Sequence, residues 1–363
     1  MSTGAGMAAG VGAGRAVVTG AASAVPPSRG QEELWDGFYG PHVDGNRWAH
    51  RIYSSVGVTR RHPAVDPTRE DISAWSTGRR MARYVGEALP LGKDAVTGAL
   101  DAAGLDAAGV GLFAVVSCTG YSTPGVDILL ARDLGMAPGV QRLLIGHMGC
   151  YAAIPGLGAA ADFVVARRRP AVLLCLELCS LHVQPASRDP EQIVAHALFS
   201  DAAAAVVVEP GPGPGLEVVD VAARTDPTTA DHMTWDVTDA GFRMGLSRRV
   251  PDVLAVHVRP MVDELLAGHG LGVADVAAWA VHPGGPRILD VVGDRLGLDD
   301  ASLAASRRVL AEHGNCSSAT ALLVVDEIRR TEPLPPGGWM VALSFGPGLT
   351  LYAALLRAGP PGP

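Results

Sequence analysis

Short apolar runs punctuated by Gly-rich turns constrain this chain most, because each is too brief for a helix yet continuous enough for a strand buried on both faces. They lie at Val110–Val116, Arg142–Ile145, Ala171–Leu178 and Ala202–Val208, and again at Ala277–Val281, Trp339–Leu343 and Thr350–Leu356. Helical stretches such as Arg287–Leu296 and Ser317–Arg329 separate them. That alternation predicts an α/β fold.

The two parts of the chain also follow one plan. Phe113–Thr119 leads through Gly120–Gly125 into a helix ending Asp133-Leu134-Gly135, and Ala278–Val281 leads through His282–Gly285 into one ending Arg295-Leu296-Gly297. Each part then reaches a second loop, His147-Met148-Gly149-Cys150 in one and His313-Gly314-Asn315-Cys316 in the other. An internal duplication accounts for this. It places Cys118, Cys150, His282 and Asn315 on loops leaving equivalent strand ends, where open α/β sheets hold their ligands.

A chain of 363 residues that is 48% hydrophobic can bury a large core or two fused halves. Its net charge of −8 provides no basic field, so nucleic acid and anionic membrane surfaces are not expected partners. The Gly- and Ala-rich start has neither a basic segment nor a signal-length apolar stretch, and no run is expected to span a membrane, so a cytoplasmic protein is expected. Five cysteines, an odd number, argue against a disulfide framework and invite a search for a nucleophilic thiol. Cys175 and Cys179 sit in and beside an apolar run with no second ligand pair, which favours core packing over a metal site.

Cys150 stands between a predicted strand and the Ala/Gly-rich segment Tyr151–Ala166, so its sulfur is expected near a helix N-terminus, where unpaired N–H groups favour a thiolate. An imidazole at His282 would pair with that thiolate, and the amide of Asn315 would donate to a developing oxyanion. Together they describe acyl transfer. Taken singly, Cys150 reads as a small core residue, His282 as a turn cap and Asn315 as part of a Gly-Asn turn. The order Cys, then His about 130 residues later, then Asn also occurs in papain-like proteases, although their Cys-Gly-x-Cys-Trp pattern is absent here.

Four segments carry a sharper resemblance: Gly-His-Met-Gly-Cys150, Val-His282-Pro-Gly-Gly-Pro, His-Gly-Asn315-Cys-Ser-Ser and Ser-Phe345-Gly-Pro-Gly-Leu-Thr. In consistent order across about Arg15 to Leu356, they resemble the signature segments of the chalcone synthase-like type III polyketide synthases. The resemblance implies a duplicated thiolase-like fold layered α-β-α-β-α, with an N-terminal half at residues 15–210, a C-terminal half at 211–358 and a flexible tail at 1–14. It implies Cys150 as nucleophile, with His282 and Asn315 activating it and stabilising the enolate formed when malonyl-CoA loses carbon dioxide. It further implies CoA thioester substrates, a homodimer, and neither metal nor redox cofactor.

By the same resemblance Phe199 and Met244 are gatekeepers, Arg51 binds CoA, and Cys118, Thr119, His182, Trp235, Ser317 and Phe345 belong to the cavity. Several of these depart from the plant enzymes. Ser55 stands where a second cation is common, His182 where Thr is usual, Trp235 where Gly lines the wall, Met244 at a second gatekeeper Phe, and Ser344 where Gly precedes Phe345. An indole in place of a hydrogen fills volume that an aromatic starter needs, whereas a flexible Met can admit an aliphatic tail. His182 is alternatively a satisfied buried histidine. Thr123 replaces the Met that reaches into the partner's cavity in many relatives, and Thr is too short for that. Ser-Cys118-Thr-Gly resembles bacterial members, which implies a pyrone, resorcinol or naphthalene product. Two rivals are a ketoacyl-carrier-protein synthase III-like enzyme, whose Gln-Ala-Asn run is absent, and a non-condensing acyltransferase of the same fold.

Overall fold

The computed structural model describes residues 14–184 and 188–361, so the expected tail at 1–14 lies, except for its last residue, outside the described residues. In chain order the strands are β1 (Ala16–Ala24), β2 (Arg29–Gly30), β3 (Arg60–Arg61), β4 (Leu112–Val116), β5 (Gln141–Ile145), β6 (Ala171–Leu178) and β7 (Asp201–Pro210). They continue as β8 (Leu216–Thr225), β9 (Met233–Thr238), β10 (Gly241–Leu246), β11 (Val276–Val281), β12 (Trp339–Gly346) and β13 (Thr350–Ala358). A nine-stranded sheet runs in the order β11-β12-β13-β8-β1-β7-β6-β4-β5, with β9–β10 and β2–β3 as separate pairs.

Read outward from the seam between β1 and β8, the two sides of this sheet use one pairing scheme. On one side β1 is antiparallel to β7, β7 antiparallel to β6, and β6 parallel to β4. On the other β8 is antiparallel to β13, β13 antiparallel to β12, and β12 parallel to β11. The symmetry stops at β5, which continues the first side in parallel with β4. Its expected counterpart before Asn315 is a helix, Ala304–His313, so Asn315 does not leave a strand end. The reason is local: Ala, Leu, Arg and Glu dominate that segment and favour helix, and the chain regains strand pairing only at the isolated bridge Phe199–Asn315.

Alternation buries both faces of the inner strands, whereas β5, expected from its apolar run to be buried on both faces, is an exposed edge strand. On β6, Leu173 and Cys175 enter a central cluster while Val172, Leu174 and Leu176 enter an outer one; on β12, Met340 and Ala342 face the centre while Val341 and Leu343 face the opposite outer layer. Each such buried Leu or Val contributes about 1.5–3 kcal/mol. Helix Thr77–Ala103 covers one outer face against β1, β6 and β7, and helix Val250–Ala267 covers the other against β8 and β13. Between them lie helices Ala153–Arg167 and Ala319–Thr331, each touching strands of both sides. The result is an α-β-α-β-α stack. Contrary to the sequence expectation, one segment, Gly149–Arg167, is long and apolar enough to cross a membrane, but most of it is buried in this middle layer.

Candidate active site

The chain reaches the site through a forced turn. Gly149 has φ +70°, and a Cβ there would stand 2.7 Å from the Pro347 ring, so only glycine lets the loop after β5 approach the end of β12. The turn sets Cys150 in a short 3-10 segment, Gly149–Tyr151, running into helix Ala153–Arg167. The expected helix-start position for the thiol is therefore realised, and the residue is buried.

Asn315 enters from the other side of the molecule. Gly314, at φ +70°, ends the preceding helix, and a Cβ on it would meet Leu198 O at 2.9 Å. The Ser317 N–H donates to Asn315 Oδ1 at 2.9 Å, which fixes the amide and leaves its NH2 to face elsewhere. Burial pushes the Cys150 thiol up, and Ser317 and Asn315 oppose that shift by favouring charge on the sulfur. His282 follows β11 directly, its N–H held by Leu343 O at 2.8 Å and its ring edge-on to Phe345 at 5.7 Å.

Among the described residues neither ring nitrogen of His282 has a hydrogen-bond partner, so the expected pairing with Cys150 is not formed in this structure. Burial explains the resting state. It pushes the Cys150 thiol up to about 12 and the His282 imidazole down to about 3, since either charge alone would be desolvated. Moving the thiol proton to the imidazole creates two opposite charges together, each offsetting the other's desolvation.

Two cavities adjoin here, one of them reaching the sulfur. One, with about 300 Å³ of unfilled space continuous in part with solvent, is lined by Cys150, Cys118, Thr119, Ser317 and Pro347 among others. The second, of about 360 Å³, is lined by Arg61, Ser180, His182, Gln192 and Phe242 among others. Phe199, Met244, Trp235 and Cys179 border both, so the two residues assigned as gatekeepers stand at the partition. Cys179, read in the sequence as core packing, is a cavity wall, whereas Cys175 packs in the central core.

His182 is both of the things expected as alternatives. The Phe242 N–H donates to its Nδ1 at 2.9 Å, so the proton sits on Nε2, which donates to Thr119 O at 2.7 Å. It also lines the second cavity, and burial holds it neutral with a pKa lowered to about 4. Trp235 sits edge-on to His182 and donates Nε1–H to Cys118 O at 2.8 Å. The wall thus pins the loop carrying Cys118 and Thr119. Phe345 packs against His282 without bordering either cavity. Arg51 and Thr123 are exposed, Thr123 on a surface loop apart from both cavities.

Glu177 was not singled out from the sequence, although an acidic residue inside the apolar run Ala171–Leu178 signals a buried charge that needs partners. It is fully buried on β6 and accepts hydrogen bonds from Cys118 N at 3.0 Å, Thr119 Oγ1 at 2.8 Å and Ser318 Oγ at 2.6 Å. Burial raises its pKa to about 6. Its proximity adds to the burial that pushes the Cys118 thiol up.

Known proteins share this arrangement across most of the chain. Residues 58–212 match the family described as chalcone and stilbene synthases, N-terminal domain, and residues 217–360 match its C-terminal domain. The chain is 39% identical over 316 residues to 1,3,6,8-tetrahydroxynaphthalene synthase of Streptomyces peucetius subsp. caesius, covering 85% of this chain and 82% of that one. It is 33% identical over 318 residues to the alpha-pyrone synthesis polyketide synthase-like Pks18 of Mycobacterium tuberculosis, covering 84% and 81%. The crystal structure of 1,3,6,8-tetrahydroxynaphthalene synthase from Streptomyces coelicolor A3(2) superposes with a TM-score of 0.89 at 28% identity, covering 95% of this chain and 99% of that one.

Proposed function

As a member of the chalcone and stilbene synthase family this chain is a type III polyketide synthase, and we propose that it loads an acyl group from CoA onto Cys150 and extends it with malonyl-CoA before closing a pyrone or aromatic ring. The observation that supports the residue assignment is a helix-start thiol that lines, with Ser317, a cavity bordered by Phe199 and Met244, together with an oriented Asn315 amide that favours charge on that sulfur.

In the loading step the Cys150 proton passes to His282, the sulfur attacks the thioester carbon, and CoA leaves as the thiol. Malonyl-CoA then loses carbon dioxide, and the electron pair of the broken C–C bond moves onto its thioester oxygen as an enolate. The Asn315 amide and the His282 N–H donate to that oxygen, which is worth most where water is excluded. The enolate carbon attacks the acyl carbon on Cys150, the C–S bond breaks, and the lengthened chain departs on CoA. A neutral resting His282 suits both roles, because one ring nitrogen accepts while the other donates. These steps call for no metal or redox cofactor.

The test is incubation of the purified protein with malonyl-CoA and a panel of acyl-CoA starters, with products identified by mass and carbon dioxide measured. Carbon dioxide release with carbon–carbon products supports condensation; acyl transfer without it identifies a non-condensing acyltransferase.

Trp235 limits what the cavity admits in this reading. Trp235→Gly should shift the products toward longer chains or bulkier starters while leaving malonyl-CoA decarboxylation largely intact. Because the indole is only partly buried, its loss costs less than the roughly 3–5 kcal/mol of a fully packed aromatic. A folded variant with unchanged starter range and product lengths removes Trp235 from the cavity wall.

The edge of the sheet supports a homodimer. β5 is paired on one side only and exposes Leu143 and Leu144, with Ile128 exposed on the preceding helix Val126–Asp133. An apolar open edge of this kind favours a second copy. Leu144→Glu should weaken the dimer about 30-fold or more, read as a shift to monomer mass in sedimentation. An unaltered dimer places the interface elsewhere.

A further inference from the structure

Arg61, on β3, is buried, yet its hydrogen bonds go to no carboxylate. They go to the Tyr53 hydroxyl, to His196 O and, at 3.2 Å, to Phe199 O. The guanidinium carbon lies 5.3 Å from the ring centre of Tyr39 and 5.2 Å from that of Tyr53. Both accepting carbonyls stand at the C-terminal end of helix Pro190–Leu198, where the last oxygens lack partners in the helix and carry the negative end of its dipole. A buried cation is expensive to keep, and here the Nε–H has no hydrogen-bond partner among the described residues.

What it holds in place is the junction between two functional side chains. Phe199 caps that helix and borders both cavities. Its neighbours form the bridge to Asn315: the Asn315 N–H donates to Leu198 O at 2.8 Å and the Ser200 N–H to Asn315 O at 2.9 Å. Gly314 packs so closely here that a Cβ would stand 3.2 Å from Arg61 Cγ. The gatekeeper and the amide donor therefore leave adjacent backbones, and the guanidinium fork holds the Phe199 side of that junction.

We propose that Arg61 is a positioning residue for the condensation, fixing the helix end so that Phe199 stays at the cavity partition while Asn315 stays at the sulfur. The proposal rests on the reading of the site given above. It differs from a merely structural role in one respect: the effect of losing Arg61 must run through Phe199.

The experiment measures kcat/KM for a long-chain and a short-chain acyl-CoA starter in the wild type, Arg61→Gln, Phe199→Leu and the double variant, with folding checked by circular dichroism. Arg61→Gln should change the long-to-short ratio about tenfold, in the same direction as Phe199→Leu. Arg61→Lys, which keeps the charge and loses the fork, should give a smaller change in that direction. Adding Arg61→Gln to Phe199→Leu should move the ratio less than about twofold. An unchanged ratio in folded Arg61→Gln, or the same shift in both backgrounds, overturns the proposal. Should Arg61→Gln not fold, Tyr53→Phe removes one partner of the guanidinium and should shift the ratio in the same direction; no shift overturns the proposal equally. A wild type that releases no carbon dioxide from malonyl-CoA fails the functional reading itself, and that result is separate from any outcome of the Arg61 series.

Discussion

Cys150→Ala should yield a folded protein that makes no polyketide and carries no acyl adduct in intact-mass spectra. The loss is complete rather than graded because the substitution removes the atom that forms the covalent intermediate. Folding should survive, since a Cys to Ala change at a helix start removes one sulfur from a site already bordered by a cavity. Cys150→Gln separates the two half-reactions, because its side-chain carbonyl can occupy the place of the acylated thiol's oxygen. That variant should still decarboxylate malonyl-CoA. Product formation by Cys150→Ala at the wild-type rate would remove the nucleophile assignment.

The second large effect belongs to the donors. Asn315→Ala should lower malonyl-CoA decarboxylation about 10²–10³-fold, the usual cost of one missing oxyanion donor, while leaving the alkylation of Cys150 by iodoacetamide less affected. His282→Ala should lower both. Alkylation passes through the thiolate, which forms when the buried Cys150 thiol gives its proton to the imidazole; with the imidazole gone that transfer is lost and deprotonation waits on base from solution. Alkylation at pH 7 should therefore slow in His282→Ala, and the rate should recover as pH is raised. An identical pH profile in the wild type and the variant would show that sulfur and imidazole are not coupled.

The parts legible in the sequence are those where one physical signal dominates. Ala171–Leu178 is apolar but for Glu177, and β6 occupies it end to end. Cys150 at a helix start followed from the strand, Gly149 and the small residues behind it. β1 was missed because Ala16–Ala24 is mostly Ala, Gly and Ser with few β-branched residues, and it is a strand only because β7 and β8 flank it. β8 is half-exposed and lacks a continuous apolar run.

Asn315 was expected at a strand end by symmetry with Cys150, yet helix propensity in Ala304–His313 overrode the repeat. Site residues escaped notice where their role depends on partners distant in sequence. Glu177 matters because Cys118, Thr119 and Ser318 converge on it. Arg61 matters because helix Pro190–Leu198 ends against it. The resting neutral forms of Cys150 and His282 could not be read from residue types, because burial sets which form each group takes.

The most direct measurement of the central claim is intact-protein mass spectrometry with peptide mapping, on wild-type protein given an acyl-CoA starter and then malonyl-CoA. The account predicts one acyl adduct on the peptide containing Cys150, which disappears as carbon dioxide and an extended product are released. An adduct mapped to Cys118 or Cys179, or one on Cys150 that persists in malonyl-CoA with no carbon dioxide released, would contradict it.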